Sequence, residues 1–503
     1  MLEILILVCS CYETMYFDQT VDHFANNSSN VFLQRYFLDT TYVSIESKSI
    51  IVYLPGSLSL ENCAILPSAI IEAAKENKAM ILALELRGFG RSVFFETSGL
   101  DELRYISFDQ MLMDISCIVN SYSTSCWGAK CSVMIAGDGI GGVLAAVFRS
   151  RFPHIVNGAW SSFSPLYFDL ETAEFDNQII KRIKSVSEEC LSATKRILYT
   201  VEKIFTTGTP STQNQLKELF GISVSTKPSV AMFLISNIFS YFDSVYPSVM
   251  NVFQEYCDTV GSPGDIHLFA QYFYLILSRN SVTVNDIDPT FLSNISASFQ
   301  NKDERLRWYL KCFQIGMFPV SSSMRPRSLN LHFFQEICYD LFSSDGFDEI
   351  PMIRNNFIGT SFSGSSVTFT SNTDSLLSKS MVSNESQYYD ISVITIPGVY
   401  GPEDMFCSKE NCKKVKDTFI EKSIEWLNDT CNYRCQHGYC ILNTCKCFTG
   451  WSGPSCSNRM VSKGFFKTVI TTILIIPSII LCIFIRFLWV LVFSRKRDRT
   501  IIE

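Results

Sequence analysis

The sequence predicts an α/β domain with a parallel, doubly wound sheet, split by a helical insertion and followed by a small cysteine-rich module and one transmembrane helix. Three observations carry this. Apolar β-type runs alternate with helical ones through the first third of the chain, with glycine after the strands. Long helix-compatible stretches then take over, and β-type runs return at "SSVTFTS" and "ISVITIPG". Finally, cysteines crowd between Cys431 and Cys456, and an uncharged apolar stretch follows them.

The chain has 503 residues, 47% of them hydrophobic, and a net charge of −7. That is enough for a large core and a further module. The mildly acidic balance and the lack of a basic aromatic stripe argue against nucleic-acid binding. No cofactor motif and no metal-ligand spacing stands out, so no cofactor or metal is expected.

Residues 1–11 read as a signal peptide. Leu2 to Val8 is apolar, and Ser10 or Cys11 precedes a cleavage point, although Glu3 stands where a basic residue is usual. Residues 15–165 hold the first part of the α/β domain. Its strand-like runs include "SIIVYLPG", "AMILALELRG" and "CSVMIAG"; its helix-like runs include "LPSAIIEAAKEN", "FDQMLMDISCIVNSY" and "GGVLAAVFRSRFP". Residues 166–347 form the insertion, with "NQIIKRIKSVSEECLSATKRILYTVEKIF" its clearest helical stretch. Residues 348–425 complete the α/β domain.

Residues 428–458 hold six cysteines spaced C-x3-C-x4-C-x4-C-x-C-x8-C. So short a segment cannot bury enough apolar surface to fold unaided, so it must be stapled. Ten more cysteines lie from Cys63 to Cys412; even numbers suit an oxidising compartment. Glycosylation sequons at Asn26, Asn27, Asn294, Asn384 and Asn428 all fall before the apolar span. That span occupies 468–493. Thr468 to Ile485 is uncharged, and eighteen helical residues reach ~27 Å, close to the thickness of a bilayer's hydrocarbon core. The basic cluster from Arg495 to Arg499 marks 494–503 as a cytoplasmic tail. These features describe a single-pass, type I protein of the plasma membrane or an endo-lysosomal membrane, with its bulk outside the cytosol.

Two resemblances sharpen this picture. "CKCFTGWSGPSC", ending at Cys456, resembles an EGF-like module. The resemblance implies the pairs Cys431–Cys440, Cys435–Cys445 and Cys447–Cys456. It implies no bound calcium, since "LNDT" lacks the acidic cluster of calcium-binding modules. The larger domain resembles the family of serine exopeptidases that includes prolyl carboxypeptidase, dipeptidyl-peptidase II and thymus-specific serine protease. "YFDQTVDHF" with Gln34-Arg35-Tyr36 matches its amino-terminal signature, and "LELRGFGRS" is similar to its E-H-R-Y-Y-G-x-S stretch. "RFPHIVNGAWSSFSPL" is similar to its Y-P-H-L-V-x-G-A-x-A-S-S-A-P segment. "KCFQIGMF" resembles its Q-T-C-x-E-x-G, with Leu310 and Gln314 in place of glutamine and glutamate, and "FFQEICYDLF" completes the match. The resemblance implies an α/β-hydrolase fold with an inserted helical cap.

Such a fold carries a serine on a sharp strand-to-helix turn, spelled G-x-S-x-G, followed in the chain by an aspartate and a histidine. Serine needs the histidine as base, and the aspartate holds the imidazole in place. Aligned on the family's G-G-S-Y-G-G-M-L-A-A, Gly137-Asp138-Gly139-Ile140-Gly141 puts Gly139 at the nucleophile. Phe369 to Asp374 fits the acid stretch, with Asp374 at the retained acid position. Ile396 to Met405 fits I-P-G-x-S-H-C-x-D-M, with Gly401 at the histidine. Five histidines exist, His23, His154, His267, His332 and His437, and none lies near the end of the strand running into Pro397.

Loss of the nucleophile alone lowers the rate by a factor of about 10⁶ in a serine protease. Asp138 is expected as a cap on the following helix, since an aspartate nucleophile there would still lack a base. The expectation is a catalytically inactive, membrane-anchored member of the family, a binding or adhesion ectodomain for a peptide or protein ligand. The alternative is an active serine-type exopeptidase with a displaced triad, for which Ser132, Ser161 and Ser162 are the nearby serines.

Overall fold

The computed structural model describes residues 12–26, 30–44, 48–60, 66–95, 99–124, 131–165, 170–242, 252–260, 264–293, 301–320, 324–344, 346–350, 366–371, 391–395, 403–406, 410–429, 435, 438–441, 444–460 and 483–488. It falls into two units, residues 1–430 and 431–503.

The first unit is built on an eight-stranded sheet. Its strands are β1 (Glu13–Thr20), β2 (Val31–Asp39), β3 (Ser49–Leu54), β4 (Met80–Leu84), β5 (Ser132–Asp138), β6 (Gly158–Ser162), β7 (Val367–Ser371) and β8 (Ile391–Thr395), in the order β1-β2-β4-β3-β5-β6-β7-β8. Strands β3 to β8 run parallel, whereas β2 is antiparallel to both β1 and β4. Six parallel strands need crossovers, and helices supply them: α1 (Ser68–Asn77) after β3, α2 (Phe108–Thr124) after β4, and α3 (Gly139–Arg151) directly after β5.

Both faces of the sheet are covered, so its central strands read as continuous apolar runs rather than alternating ones. Ile50, Val52, Val133 and Ile135 point into one core with Ile115, Leu144 and Phe148 from α2 and α3. Ile51, Tyr53, Met134 and Trp160 point into the other, with Ile70 of α1 and Phe419 of the last helix, α12 (Glu410–Asn428).

Between β6 and β7 lies the helical insertion. Its longer helices are α4 (Glu174–Val186), α5 (Glu188–Thr207), α6 (Pro210–Leu219), α7 (Pro228–Ser236), α8 (Val252–Val260), α9 (Ile266–Arg279), α10 (Lys302–Leu310) and α11 (Leu331–Phe342). The stretch whose periodicity suggests one long helix is broken at Ser187. That residue is extended, and its side chain accepts a hydrogen bond from the Cys190 N–H to cap α5. A serine followed by two glutamates is a helix start, and here it overrides the continuous apolar period. Disulfides Cys190–Cys257 and Cys312–Cys338 tie helices of the insertion together.

The second unit holds two short hairpins, Gly438–Ile441 with Thr444–Cys447 and Trp451–Ser452 with Asn458–Arg459. Disulfides Cys435–Cys445 and Cys447–Cys456 staple them. Gly450 and Gly453 turn the chain at φ +92° and +97°, a region that favours glycine. Cys440 lies in the first strand, and its implied partner Cys431 lies outside the described residues. Among the described residues no helix is long and apolar enough to cross a membrane. Residues 1–11, 468–482 and 494–503 lie outside them, as do Asn27, Asn294 and Asn384; Asn26 and Asn428 are exposed.

Candidate active site

The turn from β5 into α3 has the form of a nucleophile elbow. Gly139 stands at its apex with φ +51°, in the left-handed region, which is where a nucleophile is strained toward the pocket. The glycines around it are fixed by close packing. A β-carbon on Gly137 would stand 2.5 Å from the Gly141 backbone, one on Gly141 would stand 2.2 Å from Leu54 O, and one on Gly142 would stand 2.0 Å from Ser164 Oγ. At Gly139 the nearest atom to such a carbon is Gly56 Cα, at 3.7 Å. The apex therefore has room for a side chain and carries none.

Asp138 occupies the N-cap position of α3 but makes no capping hydrogen bond, so the cap expected of it is not formed. Its carboxylate turns instead toward the loop after β3. Tyr53 Oη donates to Asp138 Oδ1 at 2.8 Å, and the Gly56 N–H also donates to the carboxylate. Burial pushes its pKa up to about 6; the Tyr53 and Gly56 bonds act the other way, and the Asp404 carboxylate adds to the rise. In this fold the loop after the third strand supplies one of the two N–H groups of the oxyanion hole. Here an N–H of that loop is already bonded to an acid, and that acid would repel a developing oxyanion.

Asp404, in the short helix Glu403–Phe406, is buried and ties together the ends of two strands. It accepts hydrogen bonds from Ser162 Oγ at 2.5 Å, Thr370 Oγ1 at 2.6 Å and Trp160 Nε1 at 3.1 Å. Burial pushes its pKa up, against the pull of those three donors. β7 ends at Ser371 and β8 at Thr395. Asp374 and Gly401 themselves lie outside the described residues. The sequence contained Asp404 in its Asp404-Met405 match but gave no sign of its partners, which come from two strands far apart in the chain.

The nearby serines are engaged elsewhere. Ser161 Oγ donates to Ser164 Oγ at 2.9 Å, Ser162 Oγ donates to Asp404, and Ser132 is buried in β5. None of the described histidines lies in β5 or α3. His23 Nε2 lies 2.8 Å from Asp114 Oδ1, in a buried cluster where Arg87 pairs with the same carboxylate and also donates to Val21 O and Tyr105 O. His154 follows α3 and lies near Phe152. His267 is exposed in the first turn of α9, and His332 is exposed on α11 beside Glu336. His437 lies outside the described residues. A second buried cluster explains "LELRGFGRS": Glu85 accepts from Arg35 and from the backbone N–H groups of Leu60, Arg91 and Ser92. Both motifs hold the fold rather than the chemistry. Among the described residues no group of histidine, cysteine or acid side chains could hold a metal.

A family model described as Serine carboxypeptidase S28 matches residues 19–395. The chain is similar to "Probable serine protease EDA2" of Arabidopsis thaliana, 23% identical over 378 residues that cover 72% of this chain and 74% of that protein. It is similar to "Lysosomal Pro-X carboxypeptidase" of Homo sapiens, 31% identical over 164 residues, about a third of each chain (32% and 33%). It is also similar to "Thymus-specific serine protease" of Mus musculus, 27% identical over 217 residues, 41% of each. Among solved structures, proline iminopeptidase of Mycobacterium smegmatis aligns over 81% of this chain and 99% of its own, at 9% identity and a TM-score of 0.39.

Proposed function

Because the chain belongs to the serine carboxypeptidase S28 family while glycine stands at the apex of its elbow, we propose that it is a membrane-anchored relative that binds a peptide or protein without hydrolysing it. One observation carries the reading. The elbow keeps its positive φ and its close-packed glycines, yet Gly139 presents only hydrogen to the space in front of it. A turn maintained without its nucleophile can shape a cleft but cannot attack a carbonyl. The Asp138 carboxylate at the oxyanion loop supports the same reading.

The anchor is supported by the apolar stretch after the cysteine-rich module. Within it, the described helical segment 483–488 exposes Ile483, Phe484, Ile485, Phe487 and Leu488, a surface suited to lipid. The cysteine-rich module is read as EGF-like, and Asn26 and Asn428 as glycan carriers. The ectodomain then faces the lumen or the exterior, at the plasma membrane or an endo-lysosomal membrane. The test is incubation of the purified full-length chain with a fluorophosphonate probe. No covalent labelling is expected; specific labelling that competes with a substrate peptide would overturn the inactive reading.

A further inference from the structure

One edge of the eight-stranded sheet is β1, whose strand neighbour among the described residues is β2 alone. The direction of its backbone groups follows from that neighbour. The Glu85 N–H donates to Arg35 O at 3.2 Å, and the Arg35 N–H donates to Ser92 Oγ at 2.9 Å. Both backbone groups of Arg35 are therefore used on the side away from β1. Tyr16 stands opposite Arg35 in the register. In an antiparallel ladder such a pair exchanges no hydrogen bonds, so the N–H and C=O of Tyr16 point away from β2. The period of two gives Thr14 and Asp18 the same direction. The Val21 N–H, which donates back to Asn30 O at 2.9 Å, keeps the alternation beyond the strand's end.

The outward backbone groups of Thr14, Tyr16 and Asp18 meet no partner among the described residues. At Thr20, next in the series, the C=O is taken by Arg87 Nη2 at 3.1 Å. An open edge of this kind is a template for another strand, and proteins usually blunt it with lysine, proline or a bulge. β1 has none of these. It pairs with β2 residue for residue from Glu13 to Thr20 and contains neither lysine nor proline. The face beside it is apolar and open to solvent: Tyr16 is 43% exposed, Leu33 54% and Val31 61%. Met15 and Phe17 point the other way, against the core.

The pattern of the edge also says which strand fits it. Its open groups are centred on Tyr16. A second β1, antiparallel and related by a two-fold axis through Tyr16, sets Thr14 against Asp18 of the other copy and Tyr16 against its own twin. Every outward N–H and C=O of the three residues is then paired. On the side-chain level the Asp18 carboxylate meets the Thr14 hydroxyl, Glu13 meets Gln19, and the two Tyr16 rings adjoin. The Asp18 carboxylates themselves stand about 13 Å apart along the strands, beyond the screening length at physiological salt. A shift that centred the pairing on Phe17 would set Thr14 against Thr20, whose carbonyl Arg87 already holds.

We propose that two copies of the chain associate through β1, antiparallel about Tyr16, so that their sheets join into one continuous sheet across an isologous two-fold interface.

The test uses the full-length chain in detergent, its mass followed by sedimentation through a dilution series. The parent should form dimers. Tyr16→Lys sets two like charges across the axis and should raise the dimer dissociation constant at least about tenfold, with the melting temperature of the dissociated chain unchanged. Leu33→Lys, on the same face but one strand inward, should leave the dimer in place. Tyr16→Cys gives a second readout, since directly opposed, bonded residues lie about 5.5 Å apart at Cα, within disulfide range. Mild oxidation with copper phenanthroline should link that variant into covalent dimers, in excess of the parent. Leu33→Cys should not link, because three strand spacings, ~14 Å, separate the two positions. A parent that is monomeric at every concentration overturns the proposal. So does a dimer that persists unchanged in Tyr16→Lys, and so does a Tyr16→Cys variant that links no better than the parent.

Discussion

A β-carbon on Gly139 would stand 3.7 Å from the Cα of Gly56, an ordinary van der Waals contact, while the same atom on Gly137 or Gly141 would be driven into backbone at 2.5 Å and 2.2 Å. The elbow is thus tightly packed everywhere except at its apex.

Gly139→Ser is accordingly expected to fold, at a cost of about 1–2 kcal/mol for a side chain at positive φ. Gly137→Ala and Gly141→Ala should cost more than about 3 kcal/mol, because backbone must move. Urea denaturation of the three variants checks this, and a Gly139→Ser as damaging as the other two would show that the apex is filled.

Asp138 makes stability depend on pH in a defined direction. Its pKa is raised from 3.8 to about 6, so the folded state favours the protonated acid. That contribution is fully present below the unfolded value and is lost as pH rises through about 6. A rise of this size corresponds to at most about 3 kcal/mol. Asp138→Asn should therefore match the parent near pH 4 and exceed its melting temperature near pH 7.5. Thermal melts at the two pH values decide it, and a variant less stable at both would show that the charged form is the favoured one.

Asp404 anchors three donors from two strands. Asp404→Ala strands those buried donors and should cost about 3–5 kcal/mol. Asp404→Asn keeps an acceptor and should cost less than half as much. Equilibrium unfolding of both variants measures the difference; equal losses would mean that shape, not hydrogen bonding, is what the position supplies.

If the apolar stretch after the cysteine-rich module is the anchor, ending the chain after Met460 should release the protein into the medium. Fractionation of expressing cells and their medium provides the readout. A truncated chain that stays with the membrane would place the attachment elsewhere.

Much of the fold is legible because its signals are local. "SIIVYLPG", "AMILALELRG" and "CSVMIAG" are apolar throughout, as strands covered on both faces must be, and each is followed by turn residues and a helical run. Ser187 shows the opposite case, where one capping side chain outweighs an unbroken period. The empty apex was legible too, because a five-residue spelling fixes its place. The partners of Asp138 were not: Tyr53 and Gly56 lie on another strand and its loop, and only the β3–β5 pairing brings them together.

The crowded glycines of the elbow and its vacant apex have a consequence for descent. The residues that maintain the bend are not the residue that would react, so a lineage can surrender catalysis at this turn and keep the architecture unharmed.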